Sequence, residues 1–119
     1  MIPVLMIDWK QFSTYLGGYS KNQDNDIIDT FIQSYPGIEA KLRSAVLVRD
    51  HAVVEDLSHQ LKTNCYWFGA SSAGDLALQL EMIGKKLQEG DMIVVLSQFE
   101  TAVKEMIQEL SKYRETLVG

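Results

Sequence analysis

Cysteine, proline and histidine are scarce in this chain, and their scarcity excludes several kinds of protein. Among its 119 residues there are two prolines, two histidines and one cysteine, Cys65. A single cysteine cannot form an internal disulfide and fits a reducing compartment, so we expect a cytoplasmic protein. Structural zinc sites are built mainly from cysteine and histidine, so we expect neither a metal site nor another cofactor.

Excess positive charge and long apolar stretches are also missing. Lys and Arg total 11 against 16 Asp and Glu, which gives a formal net charge of -5. A surface of that sign repels phosphate backbones and anionic lipid, so we expect no nucleic-acid partner and no membrane insertion. The apolar start, residues 1–7, is too short to span a bilayer and lacks the basic residues of a signal peptide. We expect it to pack against the body of the protein.

The residues that are abundant follow a helical pattern. A chain of this length is one domain, 1–119, and hydrophobic residues make up 46% of it, enough for a core. Four long segments, 26–48, 50–69, 71–90 and 91–113, repeat apolar residues at spacings of three and four. Because the connections are short, successive helices must run antiparallel. The sequence therefore predicts an all-α, antiparallel up-down-up-down four-helix bundle with a short additional N-terminal helix.

Polar residues, glycine and proline set the predicted helix boundaries. The short first helix should begin at Asp8 and end at Gly17-Gly18, followed by a polar loop over 20–26. Pro36 predicts a kink or a short break over 34–37. The remaining predicted caps and stops are Asp50, Gly69, Ser71 or Ser72, Gly90 and Asp91.

The second long helix carries the candidate functional residue. Its predicted core stripe consists of Val54, Leu57, Leu61, Cys65 and Phe68. At about 100° per residue, His59 falls opposite this stripe and faces solvent. Its neighbours on the outer face are Glu55, Lys62, Thr63 and Tyr66. An exposed histidine alone indicates nothing, but a cation one turn away and an exposed aromatic, Tyr66, favour a partner surface.

The chemistry open to this group of residues is limited. No residue pattern places a base against a nucleophilic serine, so a hydrolase triad is not supported. An exposed imidazole can instead present a neutral nitrogen as a nucleophile to a phosphoryl group carried by another protein. Lys62 would then stabilise the added negative charge.

The segment from His59 to Ala70, HQLKTNCYWFGA, resembles the signature of histidine-containing phosphotransfer (HPt) domains. In that signature the phosphorylated histidine is followed by Leu, Lys, a Gly and Ser pair and later by Gly-Ala. The similarity extends over 29–42, the Arg49-Asp50 turn, and the pairs Leu80-Glu81 and Gly90-Asp91. It therefore covers nearly the whole chain.

The resemblance implies a phosphocarrier without kinase activity of its own. Such domains take a phosphoryl group from the aspartate of a receiver domain and pass it to another, while the receiver supplies the magnesium. His59 would be the phosphoryl acceptor and Lys62 its charge partner, with Glu55, Thr63 and Tyr66 contacting the receiver. The implied partners are receiver domains of response regulators or of a hybrid sensor histidine kinase, bound by a monomer. The alternative is a phosphorylation-independent helical adaptor that sequesters a receiver domain through the Tyr66 face.

The chain departs from the signature next to the histidine. Thr63 and Asn64 stand where the family has its Gly and Ser. A glycine leaves the imidazole uncovered for the receiver domain, so we expect Thr63 to affect the rate of phosphoryl transfer or the choice of partner. The alternative is that the Thr63 hydroxyl forms a hydrogen bond with an imidazole nitrogen.

The other residues that could carry chemistry or contact a partner have simpler interpretations. We expect His51 to have no phosphoryl role, and Cys65 to be a small buried hydrophobe. Lys85 and Lys86 are predicted to be solvated charges. Trp67 either docks a partner or packs against residues 1–9.

Overall fold

The computed structural model describes residues 6–16 and 21–118, and within them every regular element is a helix. The five helices are α1 (Trp9–Leu16), α2 (Lys21–Val48), α3 (His51–Trp67), α4 (Ser71–Gly84) and α5 (Met92–Val118). The predicted all-helical class is confirmed. In these ranges no helix combines the length and the apolar character needed to cross a membrane.

The helices bury the predicted apolar stripes in one core. Helix α3 packs against α1, α2 and α4, and α5 packs against α2 and α4. Of the α3 stripe, Val54, Leu61, Cys65 and Phe68 are buried, while Leu57 is half-buried. The largest fully buried side chain is Phe99 of α5, which makes an edge contact with Tyr35 of α2. Burial of such side chains contributes roughly 1.5–3 kcal/mol each.

Three aspartates begin helices as the sequence predicts. The carboxylates of Asp8, Asp50 and Asp91 accept hydrogen bonds from backbone N–H groups in the first turns of α1, α3 and α5. Helix α4 begins at Ser71, but its N-cap is Ala70, which makes no side-chain bond.

Helices α2, α3 and α4 end in the same hydrogen-bonded turn. A residue with positive φ closes each turn: Arg49 (57°) directly after α2, and Gly69 (75°) and Lys86 (62°) two residues after the ends of α3 and α4. For α3 this confirms the predicted stop. For α4 the predicted stop at Gly90 is wrong, because the backbone N–H of Leu87 bonds the carbonyl of Met82 and closes the helix at Gly84. The spacing of Leu80, Ile83 and Leu87 predicts one buried face that includes Leu87, but Leu87 lies beyond the end of α4 and is 70% exposed.

Helix α2 is longer than predicted and continues through Pro36. Residues 21–26, expected to form a loop, are helical, and of the kink or short break predicted at Pro36 the break does not occur, because the helix continues through it. Arg114 of α5 bonds the side chains of Asn25 and Asp29, one turn apart on α2. Burial of neighbouring α2 residues offsets the one hydrogen bond that Pro36 removes. The predicted stop at Gly17-Gly18 lies outside the described residues.

The described part of the N-terminal segment packs against the body, as predicted. Ile7 is buried, and the backbone N–H groups of Met6 and Ile7 donate to the carboxylate of Glu109 on α5. The N–H of Asp8 donates to the carbonyl of Gly69, 2.8 Å away. A Cβ at Gly69 would lie 2.5 Å from the carbonyl oxygen of Asp8, so both the positive φ and this contact require glycine. Residues 1–5 lie outside the described ranges.

Candidate functional site

His59 lies on the outer side of α3, and its side chain is 62% exposed. The core stripe of the helix runs along the opposite side, through Val54 and Leu61. The prediction that His59 faces solvent is confirmed.

A buried carboxylate binds one nitrogen of this imidazole. Nδ1 of His59 lies 3.0 and 3.1 Å from the two carboxylate oxygens of Glu81 on α4, whose side chain is only 2% exposed. An ionised carboxylate only accepts hydrogen bonds, so we assign the proton to Nδ1, which donates it. In the neutral ring, Nε2 then carries the free lone pair.

Lys62 binds the same carboxylate. Its Nζ donates to the two oxygens of Glu81 at 2.9 and 3.0 Å. The spacing of Lys62 three residues after His59 predicts an ammonium over the imidazole, whereas in the structure both side chains converge on Glu81. The physical reason is that a buried carboxylate requires a compensating positive charge, which the ammonium of Lys62 supplies.

These two donors determine the charge of Glu81. Burial raises the pKa of this carboxyl, but hydrogen bonds from Lys62 and His59 outweigh burial and hold the pKa below its ordinary value of 4.5. Glu81 is therefore ionised at neutral pH. The cluster of His59, Lys62 and Glu81 is defined here as the histidine cluster.

The lowered pKa of Glu81 predicts a specific dependence of stability on pH. A carboxyl whose pKa is lower in the folded than in the unfolded chain stabilises the fold above its unfolded pKa. That contribution disappears as the pH falls below 4.5 and through the folded pKa. Glu81→Gln should therefore lower the free energy of unfolding at neutral pH and flatten its decline in acid.

Urea unfolding at a series of pH values measures this effect. Glu105, an exposed acid on α5, provides the matched control, because Glu105→Gln should leave the wild-type pH profile in place. Parallel profiles for wild type and Glu81→Gln would contradict the assigned ionisation of Glu81.

A close approach of two helices brings Glu81 to His59. A Cβ at Gly84 of α4 would lie 2.9 Å from the backbone nitrogen of Glu55 and 3.0 Å from the carbonyl oxygen of His51. Glycine thus allows the backbones of α3 and α4 to meet at this level. Glu81 lies nearly one turn before Gly84 on α4, and His59 lies about one turn after Glu55 on α3. The side chains of Glu81 and His59 therefore face each other across the contact between the two helices.

The structure corrects two expectations about the neighbours of His59. Tyr66 is half-buried: its ring packs on α4 at Gly74, and its hydroxyl donates to Asp75 at 2.7 Å. It is therefore not the exposed aromatic that the helical spacing predicts. The hydroxyl of Thr63 donates to the backbone carbonyl of His59 at 3.1 Å and not to the imidazole. Glu55 is half-buried at the α3–α4 seam.

Trp67 is the exposed aromatic of α3. It is 54% exposed and borders a groove of about 460 Å³ between α2 and α3. The groove also includes Phe31 and Phe68 from the core and Gln60 from the outer face of α3. Residues 6–9 pack on Gly69, Glu109 and the ring of Tyr113.

The other candidate residues are a buried cysteine, a histidine at the start of a helix and two exposed lysines. Cys65 is buried, and burial raises the pKa of its thiol to about 12, so it remains protonated as predicted for a small hydrophobe. Nδ1 of His51 lies 3.0 Å from the carbonyl oxygen of Arg49 at the start of α3. Lys85 and Lys86 are exposed, as predicted.

Sequence reasoning did not assign a site role to Glu81. The sequence does hold one signal: Glu81 is a charged residue between Leu80 and Ile83, two apolar residues that face the core. A carboxylate in that position must be paired if the helix packs as the stripe predicts.

No family model, no curated protein and no solved structure matches the chain.

Proposed function

We propose that this protein is a phosphorelay intermediate, a phosphocarrier that accepts a phosphoryl group on His59 from a receiver-domain aspartate and passes it to another. The observation that carries the proposal is the hydrogen bond from Nδ1 of His59 to the buried carboxylate of Glu81. It orients an exposed imidazole and leaves Nε2 as the nucleophilic nitrogen.

The transfer step balances without a base. Nε2 of His59 attacks the phosphorus of the receiver's aspartyl phosphate, the Nε2–P bond forms, and the bond from phosphorus to the aspartate oxygen breaks. The aspartate leaves as a carboxylate with the electron pair of that bond. Nδ1 keeps its proton throughout, so the ring becomes cationic while its phosphoryl group is anionic. Transfer to the next receiver is the reverse sequence with a different aspartate.

Glu81 and Lys62 serve this step through charge. The carboxylate of Glu81 stabilises the positive charge that the ring acquires when Nε2 is phosphorylated. Lys62, fixed on the same carboxylate, places a cation beside the ring, and its field stabilises the added phosphoryl oxygens. Neither residue touches the phosphoryl donor in this scheme, so both are positioning and electrostatic groups.

The proposed architecture is the antiparallel up-down-up-down four-helix bundle of one domain. The helix contacts support this architecture: α2 contacts α3 and α5, and α4 contacts the same two helices, so the four long helices form a ring. The turns between α2 and α3 and between α3 and α4 are only a few residues long, which favours antiparallel neighbours.

The proposed receiver contact covers the outer face of α3. His59 and Thr63 are exposed there, and Trp67 with its groove lies two turns beyond His59. Such an interface should be modest in area, because a carrier that holds its donor tightly cannot pass the group on.

Incubation with receiver domains phosphorylated with ³²P tests the proposal. We expect the chain to acquire label that is stable in alkali and labile in acid, as a phosphohistidine is. His59→Gln should abolish labelling without changing the helical circular dichroism, because the side chain is exposed. His51→Gln, which alters the only other histidine, is the matched control and should label normally. Receiver binding without any label on the wild-type chain would contradict the carrier and support the adaptor.

A further inference from the structure

Helix α4 contains two glycines, Gly74 and Gly84, and both are buried where α4 contacts α3. Glycine is disfavoured inside a helix, because it loses more backbone freedom on folding than any other residue. Its use twice in a helix of 14 residues indicates places where a side chain does not fit. Glu81, the carboxylate that binds His59, lies between them, seven residues after Gly74 and three before Gly84.

The two glycines meet different kinds of atoms on α3. The three atoms nearest to a Cβ at Gly84 all belong to the backbone of His51 and Glu55, between 2.9 and 3.1 Å away. The atoms nearest to a Cβ at Gly74 belong instead to the ring of Tyr66, which is half-buried. A ring at the end of a side chain can rotate away, whereas the backbone of a helix cannot. An added methyl group at Gly84 therefore pushes α4 away from α3, while one at Gly74 does not have to.

A small separation of the two helices is enough to break the bond between Glu81 and His59. The carboxylate oxygens already lie 3.0 and 3.1 Å from Nδ1, near the long end of the normal range, so about half an ångström more would end the hydrogen bond. Lys62, which binds the same carboxylate, has a long flexible stem and can follow it. The separation would thus release the imidazole and leave the buried charge of Glu81 neutralised.

We propose that Gly84 is a positioning residue for phosphoryl transfer: by letting α4 approach the backbone of α3, it sets the distance between Glu81 and Nδ1 of His59. Gly84 acts only through Glu81 and touches neither the imidazole nor the phosphoryl donor. The kinetic consequence rests on the proposed function, whereas the effect on the imidazole proton does not.

The first test is ¹⁵N nuclear magnetic resonance of the unphosphorylated, histidine-labelled chain at a pH where the ring is neutral, which reports the nitrogen that holds the proton. Gly84→Ala should convert the Nδ1-protonated ring of His59 to a mixture of tautomers, because no acceptor then fixes the proton. Gly74→Ala is the matched control in the same helix and should keep the wild-type tautomer. Gly37→Ala should do so too, since a Cβ at Gly37 of α2 has no neighbour within 4 Å.

The second test is the rate of phosphoryl transfer from a receiver domain. Gly84→Ala should slow transfer about tenfold or more, with KM for the receiver unchanged, because the outer face of α3 is not altered. In a background of Lys62→Met with Glu81→Leu, which has no carboxylate at this contact, the same substitution should have no further effect.

Three results would overturn the proposal. They are the wild-type tautomer in folded Gly84→Ala, an equal loss of the Nδ1 proton in Gly74→Ala, and further slowing by Gly84→Ala in the background without the carboxylate. If Gly84→Ala does not fold, Glu81→Asp is decisive, because it withdraws the carboxylate by one methylene without moving the helices. We expect Glu81→Asp to give the mixture of tautomers, and retention of the wild-type tautomer would contradict the role of distance.

Failure of the proposed function has a different signature. A wild-type chain that accepts no phosphoryl group, but whose Nδ1 proton is lost in Gly84→Ala and kept in Gly74→Ala, would contradict the phosphocarrier and leave Gly84 as the residue that positions Glu81.

Discussion

Lys62→Ala is expected to lower the free energy of unfolding by about 2–3 kcal/mol and to slow phosphoryl transfer. The ammonium of Lys62 is one of two donors to the carboxylate of Glu81, which is nearly inaccessible to solvent. Removing it leaves a buried anion with only the imidazole of His59 as partner. Helical spacing alone would place Lys62 on a solvated face, where the same substitution would have little effect on stability.

Chemical denaturation and transfer kinetics measure the two effects of Lys62→Ala. Lys112→Ala, an exposed cation on α5, is the control and should be nearly neutral. A second variant, Lys62→Met with Glu81→Leu, should recover much of the lost stability, because it removes both charges from the seam. If Lys62→Ala unfolds at the wild-type denaturant concentration, Glu81 does not depend on Lys62.

Phe68→Ala is expected to cost about 3–5 kcal/mol of stability, the largest change proposed for a single core side chain. Phe68 is 4% exposed, and its ring lies 5.3 Å from that of Phe31 and 6.2 Å from that of Phe12, measured between centroids. Truncation would leave a cavity where α1, α2 and α3 meet.

The neighbouring Trp67→Ala should give the opposite result. Its side chain is 54% exposed, so we expect a small change in stability and a weaker encounter with a receiver domain. Melting curves with chemical-shift mapping of an unphosphorylated receiver distinguish the two variants. Equal melting temperatures for Phe68→Ala and Trp67→Ala, or shifts confined to α5, would contradict this division between core and docking surface.

The helical pattern predicts most of the fold because apolar periodicity and capping act locally. Asp50 caps α3 and Gly69 follows it, as the residue types imply. The predicted helix boundaries are wrong at two kinds of place. At one, a residue adopts a backbone conformation that its type disfavours; at the other, contacts with another helix accompany a helix that extends further than its sequence predicts. Lys86 adopts a positive φ and ends α4 before Leu87, and Asn25, in the segment expected to be a loop, lies in α2 and bonds Arg114 of α5.

The sequence predicts which residues of the candidate site share a face of α3, but not the contacts that α3 makes with other helices. Helical angles place His59 in solvent, and the structure agrees. They also place Tyr66 in solvent, where the structure instead finds its ring against α4 at Gly74. The bond between His59 and Glu81 joins residues on different helices, and it depends on how closely α3 and α4 approach at Gly84. No spacing within one helix carries that information.

The central claim is that Glu81 holds the proton on Nδ1 of His59 and leaves Nε2 to accept the phosphoryl group. Nuclear magnetic resonance of the phosphorylated, ¹⁵N-histidine-labelled chain tests it directly, because coupling between ³¹P and ¹⁵N identifies the bonded nitrogen. We predict phosphorus on Nε2 of His59, with a proton retained on Nδ1. Phosphorus on Nδ1, or on any other residue, would contradict the account.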